Sequence, residues 1–419
     1  MPTCGFSNTS PTWCCSKAYS SVSRSIATTT RAILPMAPSD RSGWRQCLVL
    51  IVLLGAMLAQ LAQAAAPVLG INAMWGSGDP EQLRERFKKA KSLGVTHVRI
   101  DWEWRLAEPQ RGTYQWDKLD NLVRVASEEG IELLPIVHYA PTWALVDKTK
   151  AGDVFELAPS EDAYQDFGRF VSACIERYGP GGNAPQGLKP IGYWQIWNEP
   201  NVKQFWGPEP DADAFVAMMQ VVNKETERLR DRVKIVHAGI SRADIEYLWE
   251  LWDNDKDYGR TFDILAVHPY VFDMKEGVRE PDAMDKDESK PAAMGFIGST
   301  DDPAFLGKVF NLQLFMNLKG AKDKPIWITE EGYVVADHKL GVTEAEQARR
   351  MVATLDYINQ HLTQVPFGEG NQALPANVQR VYWFSLEDYP SPDGLGNFGL
   401  FRADGSERPA AEIFRHLKQ

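Results

Sequence analysis

Residues 94–140, GVTHVRIDWEWRLAEPQRGTYQWDKLDNLVRVASEEGIELLPIVHYA, contain one complete unit of the fold. An apolar run of strand type, Val95–Asp101, opens it and a second, Ile131–Tyr139, closes it. Between them Leu119, Leu122, Val123 and Ala126 recur at the i, i+3, i+4, i+7 spacing of a helix with one apolar face, and Gly130 stops that helix. Strand, helix, strand in this order predicts two neighbouring parallel strands joined by a helical crossover.

Outward from this unit the same rhythm repeats. Strands are predicted at Val68–Asn72, Val95–Asp101, Ile131–Tyr139, Ile191–Trp197, Val233–Ala238, Phe262–Tyr270, Pro325–Thr329 and Val378–Ser385. Asp79-Pro80 begins the first helix and Gly94 ends it. Thr343 and Glu346 have capping-box spacing ahead of Ala348, Met351, Val352 and Leu355; Asp302-Pro303 opens another helix, and the last runs from Pro409 to Leu417. Eight such units predict an α/β fold, a closed (β/α)8 TIM barrel forming a single domain over residues 65–419. The rival, a doubly wound open sheet, usually carries a glycine-rich turn after its first strand. No G-x-G-x-x-G follows Val68, and the glycine-rich GPGGNAPQG at 179–187 precedes a strand, which makes it a surface loop. The irregular stretch Phe272–Thr300 follows the sixth strand, where it is either a lid over a substrate or a solvated charged loop.

The first 64 residues read differently. Arg41 and Arg45, the apolar run Cys47–Ala59 and Ala62-Gln63-Ala64 make the charged, greasy and small-residue parts of a secretory signal, so export to the periplasm or the cell exterior is expected. Cleavage near Ala64 is preferred to retention as an uncleaved anchor, the one circumstance in which a membrane becomes a partner. Met36 is a candidate start, with residues 1–35 an over-extended reading frame. Beyond this leader 40 basic residues face 55 acidic ones, a net charge near −15, which argues against nucleic acid as a partner. Cys174, the one cysteine left, has no internal disulfide partner and falls in step with Phe167, Phe170 and Val171 on a helix face, as a core thiol does. The oligomeric state is not legible.

Two acids stand where barrel chemistry is done, at the C-terminal ends of strands: Glu199 in YWQIWNEPN (193–201) and Glu330 in PIWITEEGY (325–333). Cleaving a glycosidic bond requires one protonated carboxyl for the leaving oxygen and one ionised carboxylate for the developing oxocarbenium charge. The two positions meet that requirement.

WNEPN, with TEEGY following it at a distance of 131 residues, resembles the clan A glycoside hydrolases, retaining enzymes on a (β/α)8 barrel. WRLAEPQRGTYQWDKLDNLV at 104–123 and WQIWNEPNVKQFW at 194–206 narrow the resemblance to family 39, especially its compact members from bacterial exopolysaccharide systems. The resemblance implies Glu199 as general acid/base, Glu330 as nucleophile and Asn198 as the partner of the sugar 2-hydroxyl. It also implies Arg99 and Tyr270 as partners of the nucleophile, His268 as a neighbour of substrate or acid/base, and Trp383 as the floor under the sugar. Glu331 competes with Glu330 for the nucleophile's role; strand alternation sends the two to opposite faces, and the family pattern places the nucleophile directly after threonine. Xylosidase-type relatives carry an appended β-sandwich, whereas this chain stops after the last barrel helix, which puts xylosidase activity in doubt and keeps endo-action on a polymer open.

Other readings stand beside this one. Arg99 also has Asp101 within reach as a structural ion-pair partner. His138, His237 and His268, near three strand ends, invite a zinc site, but no H-x-H or H-E-x-x-H spacing accompanies them, and neither metal nor cofactor is expected. Glu103, Glu108, Glu387 and Asp388 lie on mouth-side segments, either against sugar hydroxyls or paired. Trp143 and Trp206, on loops after the third and fourth strands, are candidate stacking platforms, as His138 is a candidate sugar contact. A carbohydrate-binding barrel without turnover remains the alternative function.

Overall fold

The computed structural model describes residues 66–74, 78–149, 155–270, 307–338, 340–363, 365–366, 373–374, 377–391 and 394–417. The proposed leader, the Phe272–Thr300 stretch and the Asp302-Pro303 helix start lie outside these residues.

Nine parallel strands form one curled sheet: β1 (Val68–Asn72), β2 (His97–Glu103), β3 (Glu132–His138), β4 (Tyr193–Ile196), β5 (Lys234–Val236), β6 (Ile240–Ser241), β7 (Leu265–His268), β8 (Ile326–Glu331) and β11 (Val378–Trp383). Their order is β5-β4-β3-β2-β1-β11-β8-β7-β6. The two outermost strands, β5 and β6, flank a break at His237–Gly239; β5 lies within the predicted strand Val233–Ala238, whereas β6 falls beyond its end and was not predicted. Isolated parallel bridges join Val236 to Ile264 and Asn198 to Gly239. A separate two-stranded ribbon pairs β9 (Val365–Pro366) with β10 (Ala373–Leu374). It was not anticipated.

Helices end where local chemistry requires. Asp79 caps the helix Pro80–Ser92 by accepting from the Glu81 N–H, a cap worth about 1 kcal/mol, and Gly94 leaves it at φ 75°. Thr343 likewise accepts from the Glu346 N–H to start Glu344–Tyr357, while the helix Asp117–Glu128 gives way to Gly130 at φ 74°. Among the described residues no helix is long and apolar enough to cross a membrane.

Strand alternation divides the side chains into two sets. One set, with Val98, Ile100 and Trp102 from β2, Trp194 from β4 and Val381 from β11, packs with the helices in the largest core. Cys174 belongs to it, buried and accepting from Trp102 Nε1 at 3.3 Å. The other set faces inward: Leu134, Val236, Ile264, Ala266, Trp327 and Tyr382 make an apolar layer, roofed toward the strand ends by polar groups. Gly70 has a definite task here, since a Cβ there would lie 2.5 Å from the Tyr382 ring.

Candidate active site

The roof is built around Arg99. From the inward face of β2 its Nε donates to Gln195 Oε1 (2.7 Å), Nη1 to Asn72 Oδ1 (2.7 Å) and Glu330 Oε1 (2.5 Å), and Nη2 to Asn198 Oδ1 (2.8 Å). The guanidinium is 2% exposed, so these four acceptors replace the water it has lost. Removing Glu330, its one carboxylate partner among the described residues, would strand a buried charge, a change that typically costs about 3–5 kcal/mol. Asp101, the alternative partner, instead holds His138 Nε2 at 3.1 Å.

Glu330 reaches this roof through an irregularity in β8. Val381 pairs with Ile328 and Trp383 with Glu331, so three steps on β8 match two on β11. Such a bulge re-aims side chains. It lets Thr329 and Glu330, adjacent in sequence, both contact the inner polar layer, while Glu331 is buried opposite Trp383. Glu330 Oε2 accepts from the Tyr270 hydroxyl at 3.0 Å. Burial, reinforced by Glu330, lifts the Tyr270 phenol well above its usual range, so it stays a donor.

Glu199 arrives from the other side. After β4 the backbone takes positive φ at Trp197 (67°) and again at Glu199 (38°), where the Glu199 N–H bonds the Gly239 carbonyl at 2.9 Å. Left-handed backbone at non-glycine residues costs of order 1–3 kcal/mol each and gathers at functional sites. Asn201 pins the turn to β6 by a reciprocal pair with the Ser241 backbone, both bonds 3.0 Å. Glu199 Oε1 lies 2.7 Å from His268 Nδ1, and one oxygen each of Glu199 and Glu330 lie within 4.8 Å of each other and of His268. Burial raises the Glu199 carboxyl to about 7, against the opposing influence of a Ser241 hydrogen bond and Arg99. His268 is pushed down to about 3 by burial, which leaves it neutral.

Glu199, Glu330, Asn198, Arg99, His268 and Tyr270 are therefore brought together. Four other expected contacts fare differently. Trp383 does not floor the site: Arg380 and Tyr382 are the inward residues of β11, and alternation turns Trp383 out toward Tyr333 in the helix-side core. Phe384 takes the mouth position, in a cluster with Tyr270 and Phe398. Trp206 is 1% exposed and packs edge-on against Trp197 and Phe215, because the turn after Glu199 folds its indole inward. Trp143 donates to the Glu108 carbonyl at 3.0 Å and meets Trp104 edge-on, a core anchor rather than an open platform. His138 points inward, stacked on Tyr139 with centroids 3.6 Å apart, and bonds Asp101 rather than Glu199 or Glu330.

The mouth-side acids are mostly paired. Glu103 meets Arg105, Glu108 accepts from Trp104 and the Gly112 N–H, Glu387 joins Arg86 and Lys89, and Asp388 joins Arg408. The three histidines do not converge: His237 bonds the Tyr258 hydroxyl at 2.7 Å among helix-layer aromatics. Glu199, His268 and Glu330 do have the spacing of a cation site, but Arg99 and Tyr270 already donate to the Glu330 oxygens. Sequence reading missed Asn72, Gln195, Thr329, Ser241 and Phe384. A polar residue closing an apolar strand, the signal that exposed Glu199, is equally present at Asn72.

A beta-galactosidase family model (glycoside hydrolase 42) matches residues 75–147. Among curated proteins none matches. Solved structures that resemble the chain include a family 39 glycoside hydrolase from Bacteroides cellulosilyticus WH2 (17% identity, TM-score 0.54, 84% of this chain and 64% of that one). A monomeric beta-xylosidase from Caulobacter crescentus CB15 aligns at 18% identity and TM-score 0.57 over 85% of this chain and 70% of its own. A GH5_18 protein from Streptomyces cattleya in complex with GlcNAc aligns at 17% and 0.54 over 84% and 80%. The chain thus spans just under two thirds of the family 39 structure's length, and it shares the fold of these glycoside hydrolases.

Proposed function

We propose that the protein is a retaining glycoside hydrolase acting on β-linked oligo- or polysaccharide. The observation that carries the reading is the approach of the Glu199 and Glu330 oxygens to within 4.8 Å. Retaining pairs stand about 5–5.5 Å apart and inverting pairs about 6.5–9.5 Å, the wider gap making room for water. Environment separates the roles: Glu199, lifted to about 7 chiefly by burial, keeps its proton in slightly acidic solution and in about half of the molecules at neutral pH, while Glu330 accepts from Arg99 and Tyr270 on its two oxygens.

In the first step a Glu330 oxygen bonds the anomeric carbon as the bond to the leaving oxygen breaks, and that oxygen takes the Glu199 proton. In the second, Glu199 removes a proton from water, whose oxygen attacks the anomeric carbon and releases Glu330. Because Asn198 Oδ1 is occupied by Arg99, its amide N–H groups are the ones left for the sugar 2-hydroxyl. Closure of the sheet into a (β/α)8 barrel belongs to the same reading and is supported by the Val236–Ile264 and Asn198–Gly239 bridges. So does export under the direction of the N-terminal leader.

The test is hydrolysis of aryl β-glycosides and bacterial polysaccharides. Glu330→Gln is expected to lose at least about 10³-fold in kcat while keeping substrate binding. Glu199→Gln should cut kcat/KM by about 10²–10⁴-fold on poor leaving groups and much less on dinitrophenyl glycosides, whose glycosylation step needs no acid, while kcat falls on both because the second step loses its base. Polymer binding by the wild type without any cleavage would instead establish a binding barrel.

A further inference from the structure

We propose that Gln195 and Thr329 are positioning residues that hold His268 as its Nδ1–H tautomer, so that Glu199 receives a hydrogen bond on Oε1 and carries its catalytic proton on Oε2. The proposal rests on the acid/base role of Glu199 and starts from Arg99. A guanidinium only donates, so the atom of Gln195 that lies 2.7 Å from Arg99 Nε is the amide oxygen. The amide nitrogen of Gln195 then faces the His237 carbonyl (3.3 Å) and Thr329 Oγ1 (3.4 Å), where it donates.

Thr329 Oγ1 therefore accepts on that side, and its single proton is directed at its other polar neighbour, His268 Nε2, 3.0 Å away. A neutral imidazole has one N–H and one lone pair. With Nε2 accepting, the N–H lies on Nδ1, 2.7 Å from Glu199 Oε1. The hydrogen bonds thus run one way, from Arg99 through Gln195, Thr329 and His268 to Glu199, across four strands. Gln195, Thr329 and His268 are all fully buried, so water does not compete for these positions.

The charged and titratable groups facing His268 are Glu199 after β4, Glu330 from β8, Arg99 from β2 and Tyr270 after β7. Neutrality of the ring agrees with its burial. The opposite tautomer has a definite cost to catalysis. With Nε2–H, the Nδ1 lone pair would take the Glu199 O–H as a donor and withhold that proton from the leaving oxygen.

The experiment is long-range 1H–15N NMR of the full chain labelled with 15N-histidine, His268 being assigned by signal loss in His268→Asn. At about pH 5, where Glu199 is protonated, the wild type and Thr329→Ser should show the Nδ1–H form, and Thr329→Val should populate Nε2–H. Thr329→Val should also lower kcat about tenfold on poor leaving groups with KM unchanged, spare glycosylation by dinitrophenyl glycosides, and recover in Thr329→Ser. A wild-type ring protonated on Nε2 overturns the proposal, as does a Thr329→Val ring that keeps the wild-type tautomer. Should Thr329→Val fail to fold, the wild-type and Thr329→Ser spectra decide alone. Full activity in Glu199→Gln would sink the acid/base role of Glu199 without touching the tautomer result, so the two failures are distinguishable.

Discussion

Glu199 is an acid kept from ionising by its surroundings, and this has a thermodynamic side. Its carboxyl sits near 4.5 when exposed and about 7 in the folded chain, burial being the main cause. Below about pH 4 both states hold the proton and folding incurs no charge penalty. Between about 4.5 and 7 the unfolded chain releases it while the folded chain does not, so stability falls as pH rises. Glu199→Gln removes this slope. Thermal melts should show the variant little changed at about pH 4 but more stable than wild type at about pH 8, by up to roughly 3 kcal/mol. Equal melting shifts at both pH values would contradict the assigned environment. Single-residue reading singled out Glu199 and Glu330, which the structure brings together, because a charge at the end of an apolar strand stands out in any sequence. It failed for Thr329 and Gln195, uncharged residues inside strands, whose importance comes only from what they face.

At the level of the element, Gly239 shows how a strand end is shaped for the side chain of its neighbour. A Cβ there would stand 1.9 Å from His268 Nε2, and the same residue's carbonyl receives the Glu199 N–H. Gly239→Ala must push the imidazole or the strand aside; overpacking of this kind costs about 1–3 kcal/mol. The expected outcome is a lower melting temperature together with a larger fall in kcat than in substrate affinity, measured by steady-state kinetics and calorimetry. Wild-type kcat in that variant would mean His268 does not serve Glu199. The eight predicted strands and their order of appearance were legible from apolar runs and helix punctuation, with the first strand exact at both ends and the other boundaries off by up to three residues. The bulge in β8 was not, because an extra residue in a ladder leaves no mark in composition. Strict alternation from the inward-facing Trp327 would have sent Glu330 outward. Alternation did hold in β11, and there it places Phe384 rather than Trp383 at the mouth.

Across the whole molecule, the curled parallel sheet places residues 131 positions apart within one sugar ring's reach of each other. The stereochemical outcome follows from that spacing: 1H NMR during early hydrolysis of a β-glycoside should show the β-anomer forming first, and an initial α-product would refute the double displacement. Chelation with EDTA should leave kcat/KM unchanged, because Glu330 is already engaged by Arg99 and Tyr270; loss restored by zinc would favour the cation site instead. Arg99 has one more implication. Its charge is accommodated only where side chains from β1, β4 and β8, together with Asn198 just past β4, converge on it. No fragment that omits any of these contributors can house a permanent cation at its centre, so cutting the chain into autonomous pieces forfeits the proposed site and the integrity of the scaffold in a single stroke.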